Sequence, residues 1–380
     1  MNYSNIPKWP FYNNEEIEAA KNVLISGKVN YWTGNETKSF EKNFSDFTGT
    51  KYSIALANGS VALTSAYLSL DLKKGDEIIT SPRTFVATAS SAAIFGAIPI
   101  FADVDKETGC ITSKTIEPLI NNKTKAISVV HLGGWPADMI SICNLAESYG
   151  IPIVEDCAQA HGAKILYNNQ FKSVGGFGDV SAWSFCQDKI ISTAGEGGMI
   201  TTNDKKKWEF IWSLKDHGKN YNLVNEKVNN VGFRWLHESI GTNLRITEVQ
   251  SAIGKIQLKN IEKTTKQREK NALYLISRLK QFSSLRIPIP SSNIKHAWYR
   301  LYVYLKNNYV SSEWNRDRII HEINLLGYPA FSGSCGEIFK EKCFKDYKVS
   351  KNLKICNELS KTSLAFLVHP NINPNQLEKY

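Results

Sequence analysis

Lys189 stands between Trp183-Ser184-Phe185 and the run Gly195-Glu196-Gly197-Gly198, with the strand-like Met199-Ile200-Thr201-Thr202 following. Glycine fills three of those four positions, and it accepts backbone angles that other residues resist and lets a flat ligand come close. A lysine enclosed in such a pocket is desolvated, which lowers its pKa and frees the amine to form a Schiff base. A surface lysine before a glycine-rich turn has the same local sequence. Asp156 offers a second chemistry. It ends Ile151-Pro152-Ile153-Val154-Glu155-Asp156, with Gln159 and His161 just beyond. A carboxylate there can hold a positive group on a ligand, such as a protonated ring nitrogen, or serve simply as a helix N-cap. The third candidate is Asn58-Gly59-Ser60, a glycine turn into a helix. Free backbone N–H groups and the helix dipole favour phosphate at such a turn, although serine is also an ordinary cap.

Positioning these groups takes strands that alternate with helices. Residues 53–57 read as a strand, and the helix after Ser60 carries Val61, Leu63, Ala66, Tyr67 and Leu70. Residues 77–80, 98–101, 125–131 and 151–156 read as further strands, with helices over 85–95 and 139–149. This βαβ pattern implies a mainly parallel sheet with helices on both faces. Ligands of such sheets bind beyond the carboxyl ends of the strands, where Ser60 and Asp156 fall. No G-x-G-x-x-G opens a helix after the first strand, which argues against a dinucleotide fold.

Upstream, residues 14–26 show a helical pattern with Ile17, Ala20, Val23 and Leu24 on one face and Gly27 as the stop. Residues 29–34 form an aromatic loop in which Tyr31 either lines a ligand site or anchors the loop. Residues 205–228 are polar and read as a helix end followed by a loop over the site, with His217 placed to reach a substrate. Asn243 or Thr247 caps a long helical stretch bearing Val249, Ala252, Ile253, Ile256, Leu258 and Ile261. That helix is the natural bridge to a second domain, which has strand-like residues 298–305 and 364–368 and a loop around Phe331. The expected division is a large domain over 1–255, including an N-terminal arm, and a smaller one over 256–380.

At 380 residues the chain can bury two cores. Hydrophobic content of 42% and charged content of 22% are those of an ordinary globular protein. The net charge of +10 is spread rather than clustered, so it fits anionic small substrates better than nucleic acid. Seven cysteines without C-x-x-C spacing point to a reduced, cytoplasmic compartment and to no zinc site or other metal centre. The start of the chain lacks a charged-then-apolar leader, so no signal peptide is expected. The uncharged run 85–102 contains Thr88, Ser90, Ser91, Gly96 and Pro99 and is not expected to span a membrane.

Four segments carry a resemblance to the DegT/StrS sugar-nucleotide aminotransferases, within the fold-type-I pyridoxal phosphate enzymes. They are Asn58-Gly59-Ser60-Val61-Ala62-Leu63, then Val154 to Ala163 (Val-Glu-Asp-Cys-Ala-Gln-Ala-His-Gly-Ala), then Ser184-Phe185 with Lys189 and Gly195-Glu196-Gly197-Gly198, and Gly241-Thr242-Asn243-Leu244-Arg245. The resemblance runs from about residue 31 to the end. It implies an aspartate-aminotransferase-like α/β fold: a large domain on a mainly parallel mixed sheet flanked by helices, plus a smaller α+β C-terminal domain. It further implies that Lys189 holds pyridoxal 5'-phosphate as a Schiff base and that Asp156 pairs with the pyridine nitrogen. Gln159 would bond the ring's phenolic oxygen. Gly59, Ser60 and Ser184 would cradle the phosphate, Phe85 would stack on the ring, and Asn243 would reach the phosphate from the other subunit of a homodimer. Arg245 would bind an anionic group, with His217, Trp135 and Tyr31 near the substrate. Ser60 replaces a common threonine and keeps its hydroxyl. Lys215-Asp216 precedes His217-Gly218 where an arginine is more usual, which leaves substrate contacts there open.

The implied activity is transamination from an amino acid, glutamate by analogy, through the pyridoxamine form of the cofactor. The acceptor would be a nucleoside-diphosphate-linked keto-deoxysugar used for lipopolysaccharide or a related surface glycan. Relatives that carry histidine in place of the lysine are dehydratases, and Lys189 favours amine transfer. A pyridoxal-dependent dehydratase or a non-catalytic sensor on the same fold is the alternative.

Overall fold

The computed structural model describes residues 5–226, 232–306, 308, 311, 313–347 and 353–380; residues 227 and 228 of the expected loop lie outside them. Nine strands come first in the chain: β1 (Tyr52–Leu56), β2 (Glu77–Thr80), β3 (Ile98–Phe101), β4 (Thr124–Val130), β5 (Ile153–Asp156), β6 (Lys164–Tyr167), β7 (Gln170–Ser173), β8 (Val180–Ser184) and β9 (Gly198–Thr202). Seven of them form a sheet in the order β1-β9-β8-β5-β4-β2-β3. β9 pairs antiparallel with both β1 and β8, while β2 to β5 and β8 pair parallel. This is the mixed, mainly parallel sheet expected. Its central strands are buried on both faces, as in a sheet covered on both sides.

The expected helices exist with small shifts. Asn58 caps the helix Gly59–Leu68 by accepting from the Val61 amide at 3.0 Å. The helix Met139–Tyr149 ends on left-handed Gly150. The stretch expected as helix over 85–95 is helical only over Ala87–Ala93. Two expectations need correction. In the helix Asn14–Ser26, Ile17 and Leu24 are exposed, and Val23 and Glu16 face inward; Glu16 accepts from Gln257 of the neighbouring helix. Residues 205–215 are a regular helix rather than a helix end and loop. Lys205 and Lys206 face water while Ile211, Trp212 and Lys215 are buried, and Ile211 and Trp212 pack with Ile54 and Leu63, an inward face that the Lys205-Lys206-Lys207 run disguises.

Beyond the helix Glu248–Lys259, capped by a Thr247–Gln250 capping box, comes the helix Ile261–Leu279. Position 255, the expected end of the first domain, lies inside the former. A second sheet follows, from β10 (Leu285–Arg286), β12 (Leu301–Leu305), β13 (Ala330–Phe331) and β14 (Ser363–Phe366), in the antiparallel order β10-β12-β14-β13. β11 (Ile294–Lys295) pairs instead with β6, beside β7. Ile6 of the N-terminal arm packs in the second core with Leu275, Leu301 and Leu364. Among the described residues no helix is long and apolar enough to cross a membrane.

The core lies directly beneath the Lys189 loop. Phe44 meets Trp183 at 5.1 Å and Phe185 at 5.6 Å between centroids, and Phe40 meets Phe185 at 5.3 Å. All four are fully buried, each worth about 2–3 kcal/mol of apolar transfer. They form a hard floor for the loop above.

Candidate active site

The carboxyl ends of β1, β5 and β8 lie on one edge of the sheet, and they bring the three sequence candidates together. Gly198 pairs with Leu56 on one side and Ser184 on the other, so Gly59 and Ser184 meet across a residue with no side chain. A methyl on Gly59 would lie 2.6 Å from the Ser184 Cβ, and one on Gly198 would lie 2.4 Å from the Asn58 carbonyl oxygen. The gap is therefore a cradle that side chains would fill. Helix geometry leaves the first-turn amides of Gly59 and Ser60 without intrahelical acceptors, and the Ser60 side chain is exposed beside them. These are the donors an anion needs.

Asp156 ends β5 almost fully buried. Its polar contacts among the described residues are neutral: the Thr88 hydroxyl donates to Oδ2 at 2.7 Å, and the Ala158 amide to Oδ1 at 3.1 Å. Burial raises its pKa, and the Thr88 and Ala158 bonds and the nearby Lys189 charge only partly offset this. A desolvated carboxylate with no direct cationic partner suits a positive ring nitrogen, which is the group the sequence resemblance assigns to it. Phe85, three residues before Thr88, is 63% exposed. It is therefore free to cover a ring rather than being a core aromatic.

Lys189 is held from several sides. Its carbonyl accepts from the Trp9 indole at 2.9 Å, which ties the N-terminal arm to the loop. The arm's Tyr12 hydroxyl contacts Ser192 Oγ at 2.9 Å and accepts from the Ala194 amide at 3.1 Å. Gly195 takes φ +117°, which closes the loop and requires glycine. The Lys189 ammonium lies 3.5 Å from Asp188 Oδ1 and 5.1 Å from the centre of the Tyr299 ring. Here the expected direction of the pKa is reversed. Burial pulls it down, but Tyr299 and Asp188 push it up, and the net shift is upward. Tyr299 is itself raised by burial and stays neutral, so the Asp188 carboxylate is the partner that counts.

The remaining candidates divide. Gln159 is buried, accepts from the Gly133 amide at 2.7 Å and donates to Ser334 Oγ at 3.0 Å, joining the two halves of the molecule. Asn243 is exposed, its Oδ1 accepting from the Arg245 amide at 3.2 Å. His217 is exposed, at a left-handed φ of 58°. Trp135 packs edge-on to His296 at 5.3 Å, with its indole N–H buried and without a partner. Arg245, expected to bind a ligand anion, is instead 2.9 Å from buried Asp216, so its charge is matched within the chain. Tyr31, expected near substrate, is buried; its ring lies 3.6 Å under the Lys215 ammonium, and its hydroxyl accepts from Trp212 at 3.3 Å. Lys215, standing where an arginine is more usual, is thus a core cation.

Thr88, Asp188, Tyr299 and Arg300 are additional site residues. Thr88 sits one helical turn after Phe85, a spacing that points it at the same ligand edge. Tyr299 and Arg300 come from the far end of the chain and carry no local signal. Among the described residues one buried cluster has metal-ligand types, His131, Glu155 and Cys157. Its acceptor capacity is already taken. Glu155 accepts from the Gly175, Phe177 and Gly178 amides at 2.8, 2.9 and 2.6 Å and contacts His131 Nε2 at 3.1 Å. His131 Nδ1 accepts from the Ala137 amide at 3.1 Å. The cluster is thus a structural hub joining β4, β5 and residues 175–178.

Residues 10–379 match the model of the DegT/DnrJ/EryC1/StrS aminotransferase family. The chain is 34% identical over 314 residues to the dTDP-3-amino-3,6-dideoxy-alpha-D-galactopyranose transaminase of Aneurinibacillus thermoaerophilus, covering 82% of this chain and 81% of that one. Its backbone superposes on an aminotransferase from Psychrobacter cryohalolentis with a TM-score of 0.95 at 45% identity, covering 98% of this chain and 96% of the other. A GDP-4-keto-6-deoxy-D-mannose-3-dehydratase of E. coli, solved with bound hydrated pyridoxal phosphate, superposes with a TM-score of 0.86 at 25% identity, covering 100% and 98%. With a family match over nearly its whole length and the lysine, aspartate and anion cradle gathered on one sheet edge, the chain belongs to the DegT/DnrJ/EryC1/StrS aminotransferase family.

Proposed function

We propose that the protein is a pyridoxal phosphate-dependent aminotransferase that moves an amino group from an amino acid to a nucleoside-diphosphate-linked keto-deoxysugar. The observation that carries this reading is the buried Asp156, held by neutral donors and facing the Lys189 loop across the sheet edge. Gly59, Ser60 and Ser184 would hold the phosphate, Phe85 the ring face, Asp156 the ring nitrogen and Gln159 the phenolic oxygen. Exposed Asn243 would serve the phosphate of a second subunit, which makes a homodimer the working unit. Bound pyridoxal phosphate supplies an electron sink for the pair left when the Cα proton departs.

The chain's own residues do the rest. Lys189 Nζ would hold the cofactor covalently and, when freed by the donor amine, would serve as the base that moves a proton between the donor's Cα and the cofactor. It must be unprotonated to do so, and Asp188 stabilises the ammonium form while the site holds no cofactor. Asp156 stays ionised when it gains the cationic partner it lacks, which keeps the ring nitrogen protonated. Trp9 and Tyr12 hold the Lys189 loop in place. The dehydratase alternative is disfavoured by the lysine itself, because an amine at this position is what carries and releases the Schiff base. A product for surface glycan assembly, made in the cytoplasm, fits the reading.

The purified holoenzyme should absorb as a Schiff base and shift to the pyridoxamine spectrum when glutamate is added. Restoration of the first spectrum by a keto-sugar nucleotide then identifies the acceptor. Lys189→Ala should bind cofactor without the Schiff-base band and lose turnover. Near-normal transamination by that variant would refute the assignment.

A further inference from the structure

Around Lys189 the described residues carry more positive charge than they neutralise. Lys189, Arg268 and Arg300 gather there, and each arginine's charge is felt at His369, while Arg300 also acts on Arg268. Among the described residues Asp188 is the only carboxylate within ion-pair reach of these cations, 3.5 Å from Lys189 Nζ and 3.6 Å from Arg300 Nη2. Arg268 is fully buried against the Trp9 ring, 4.8 Å from its centre; among the described residues Nε and Nη2 have no hydrogen-bond partner, and Nη1 makes one long contact, 3.5 Å to the Trp298 carbonyl. Two buried donors on a guanidinium are costly to leave unmatched.

Arg300 is built to receive something. Its guanidinium lies 4.4 Å from the centre of the Tyr299 ring and 5.9 Å from that of Phe331, so its plane is set by stacking. It makes one hydrogen bond among the described residues, to the Tyr299 carbonyl at 3.4 Å. Most of its five donors are therefore uncommitted. Asp188 meets it at 3.6 Å, too long for a good charged hydrogen bond, and is 49% exposed; its Oδ2 is held by the Tyr299 hydroxyl, the bond a competing carboxylate has to replace.

We propose that Arg300 is the receptor for a carboxylate of the amino donor, backed by the charge of Arg268, and that Asp188 occupies this place when no donor is bound. The inference rests on the transaminase reading. Its geometry is that of an amino acid. One carboxylate already spans Lys189 Nζ and Arg300 Nη2. A donor whose amine replaces Nζ carries its α-carboxylate carbon two bonds away, about 2.5 Å, and so presents the same pair of groups. The diphosphate of a nucleotide sugar is separated from the carbon that receives the amine by the sugar ring, so it falls outside this short span. The surplus positive charge favours a donor with two carboxylates over a neutral amino acid.

Calorimetry of the holoenzyme with glutarate, a dicarboxylate that has no amine to transfer, tests the site without turnover. Arg300→Gln should weaken glutarate binding about 10- to 100-fold, the range for losing a charged hydrogen-bonded pair, and Arg300→Lys should weaken it less. Asp188→Asn removes the competing carboxylate and should tighten glutarate binding. A nucleoside diphosphate (whichever of UDP, GDP or dTDP the wild type holds best) should bind Arg300→Gln as it binds the wild type. In the donor half-reaction, Arg300→Gln should raise the KM for glutamate far more than it lowers kcat. Unchanged glutarate affinity in Arg300→Gln, weaker glutarate binding in Asp188→Asn, or loss of the nucleoside diphosphate in place of glutarate would each overturn the proposal. A spectrum unmoved by any amino acid in the wild type would refute the transaminase reading itself. A normal half-reaction in which Arg300→Gln matches wild type would refute the donor role alone.

Discussion

Replacing Gly59 with alanine tests the phosphate cradle at its tightest point. The new methyl would lie 2.6 Å from Ser184 Cβ, 2.9 Å from its Oγ and 3.2 Å from its Cα. Carbon atoms settle at about 3.5–4.0 Å, so the first contact is short by about 1 Å. Gly59 is not at a positive φ, so alanine suits its backbone and gains at most about 1 kcal/mol of helix propensity. Overpacking of this size costs about 1–3 kcal/mol, and the steric cost should win. The helix start must retreat from Ser184, carrying the Gly59 and Ser60 amides away from the phosphate. The expected result is an apoenzyme destabilised by about 1–2 kcal/mol and a cofactor affinity lower by about tenfold or more. Ser184→Gly in the same chain removes the two closest contacts. Denaturant melts of the wild type, both single variants and the double variant should give a favourable coupling of about 1–2 kcal/mol. Cofactor affinity should stay low in the double variant, because the Ser184 hydroxyl is gone. A coupling of zero, or a Gly59→Ala protein that binds cofactor normally, would show that the close approach of the helix start at Gly59 to the end of β8 does not shape the site.

Two further substitutions separate the roles of the buried carboxylates. Burial holds the Asp156 pKa above its unfolded value, so its ionisation works against folding: the cost is absent below the unfolded pKa and grows as pH rises through the folded one. Apo Asp156→Asn should therefore gain stability over the wild type as pH rises above about 4 and keep the gain at neutral pH, while the holoenzyme loses turnover; thermal melts at several pH values check the first, and a gain confined to acid pH would reverse the reasoning. Glu155 is the opposite case. Burial raises its pKa, but His131 and the Gly178 and Gly175 amides outweigh burial and the net shift is downward. Its contribution is present above the unfolded pKa and is lost as pH falls through the lower folded value. Glu155→Gln should cost about 3 kcal/mol at neutral pH, with the gap to wild type closing in acid, and an unaltered melting curve at pH 7 would contradict the hub.

What the sequence determined on its own is the part written in neighbouring residues. The strand runs 77–80, 98–101 and 151–156, the glycine turn at Ser60 and the stop at Gly27 each follow from short-range periodicity and capping, and the structure contains them with small shifts. The alternation of strand and helix implied the mainly parallel sheet, and its parallel strands place Ser60, Asp156 and Ser184 on one edge because they all end there. The expectations that failed were those in which a residue's type was read without its surroundings. Ile17 and Leu24 face outward although their spacing suits a core face, because buried Glu16 finds Gln257 inward. Arg245 and Tyr31 are polar groups at ligand-like positions, yet Asp216 and Lys215, close in sequence only to each other, draw them into the protein. The direction of the Lys189 pKa was also beyond a local reading. Enclosure alone lowers it, and the reversal depends on how Asp188 and Tyr299 are set around the ammonium. Tyr299 lies 110 residues along the chain from Lys189, brought there by β12 of the second sheet. Charge balance in a site is a sum over all groups within a few ångströms, and only the tertiary fold decides which groups those are.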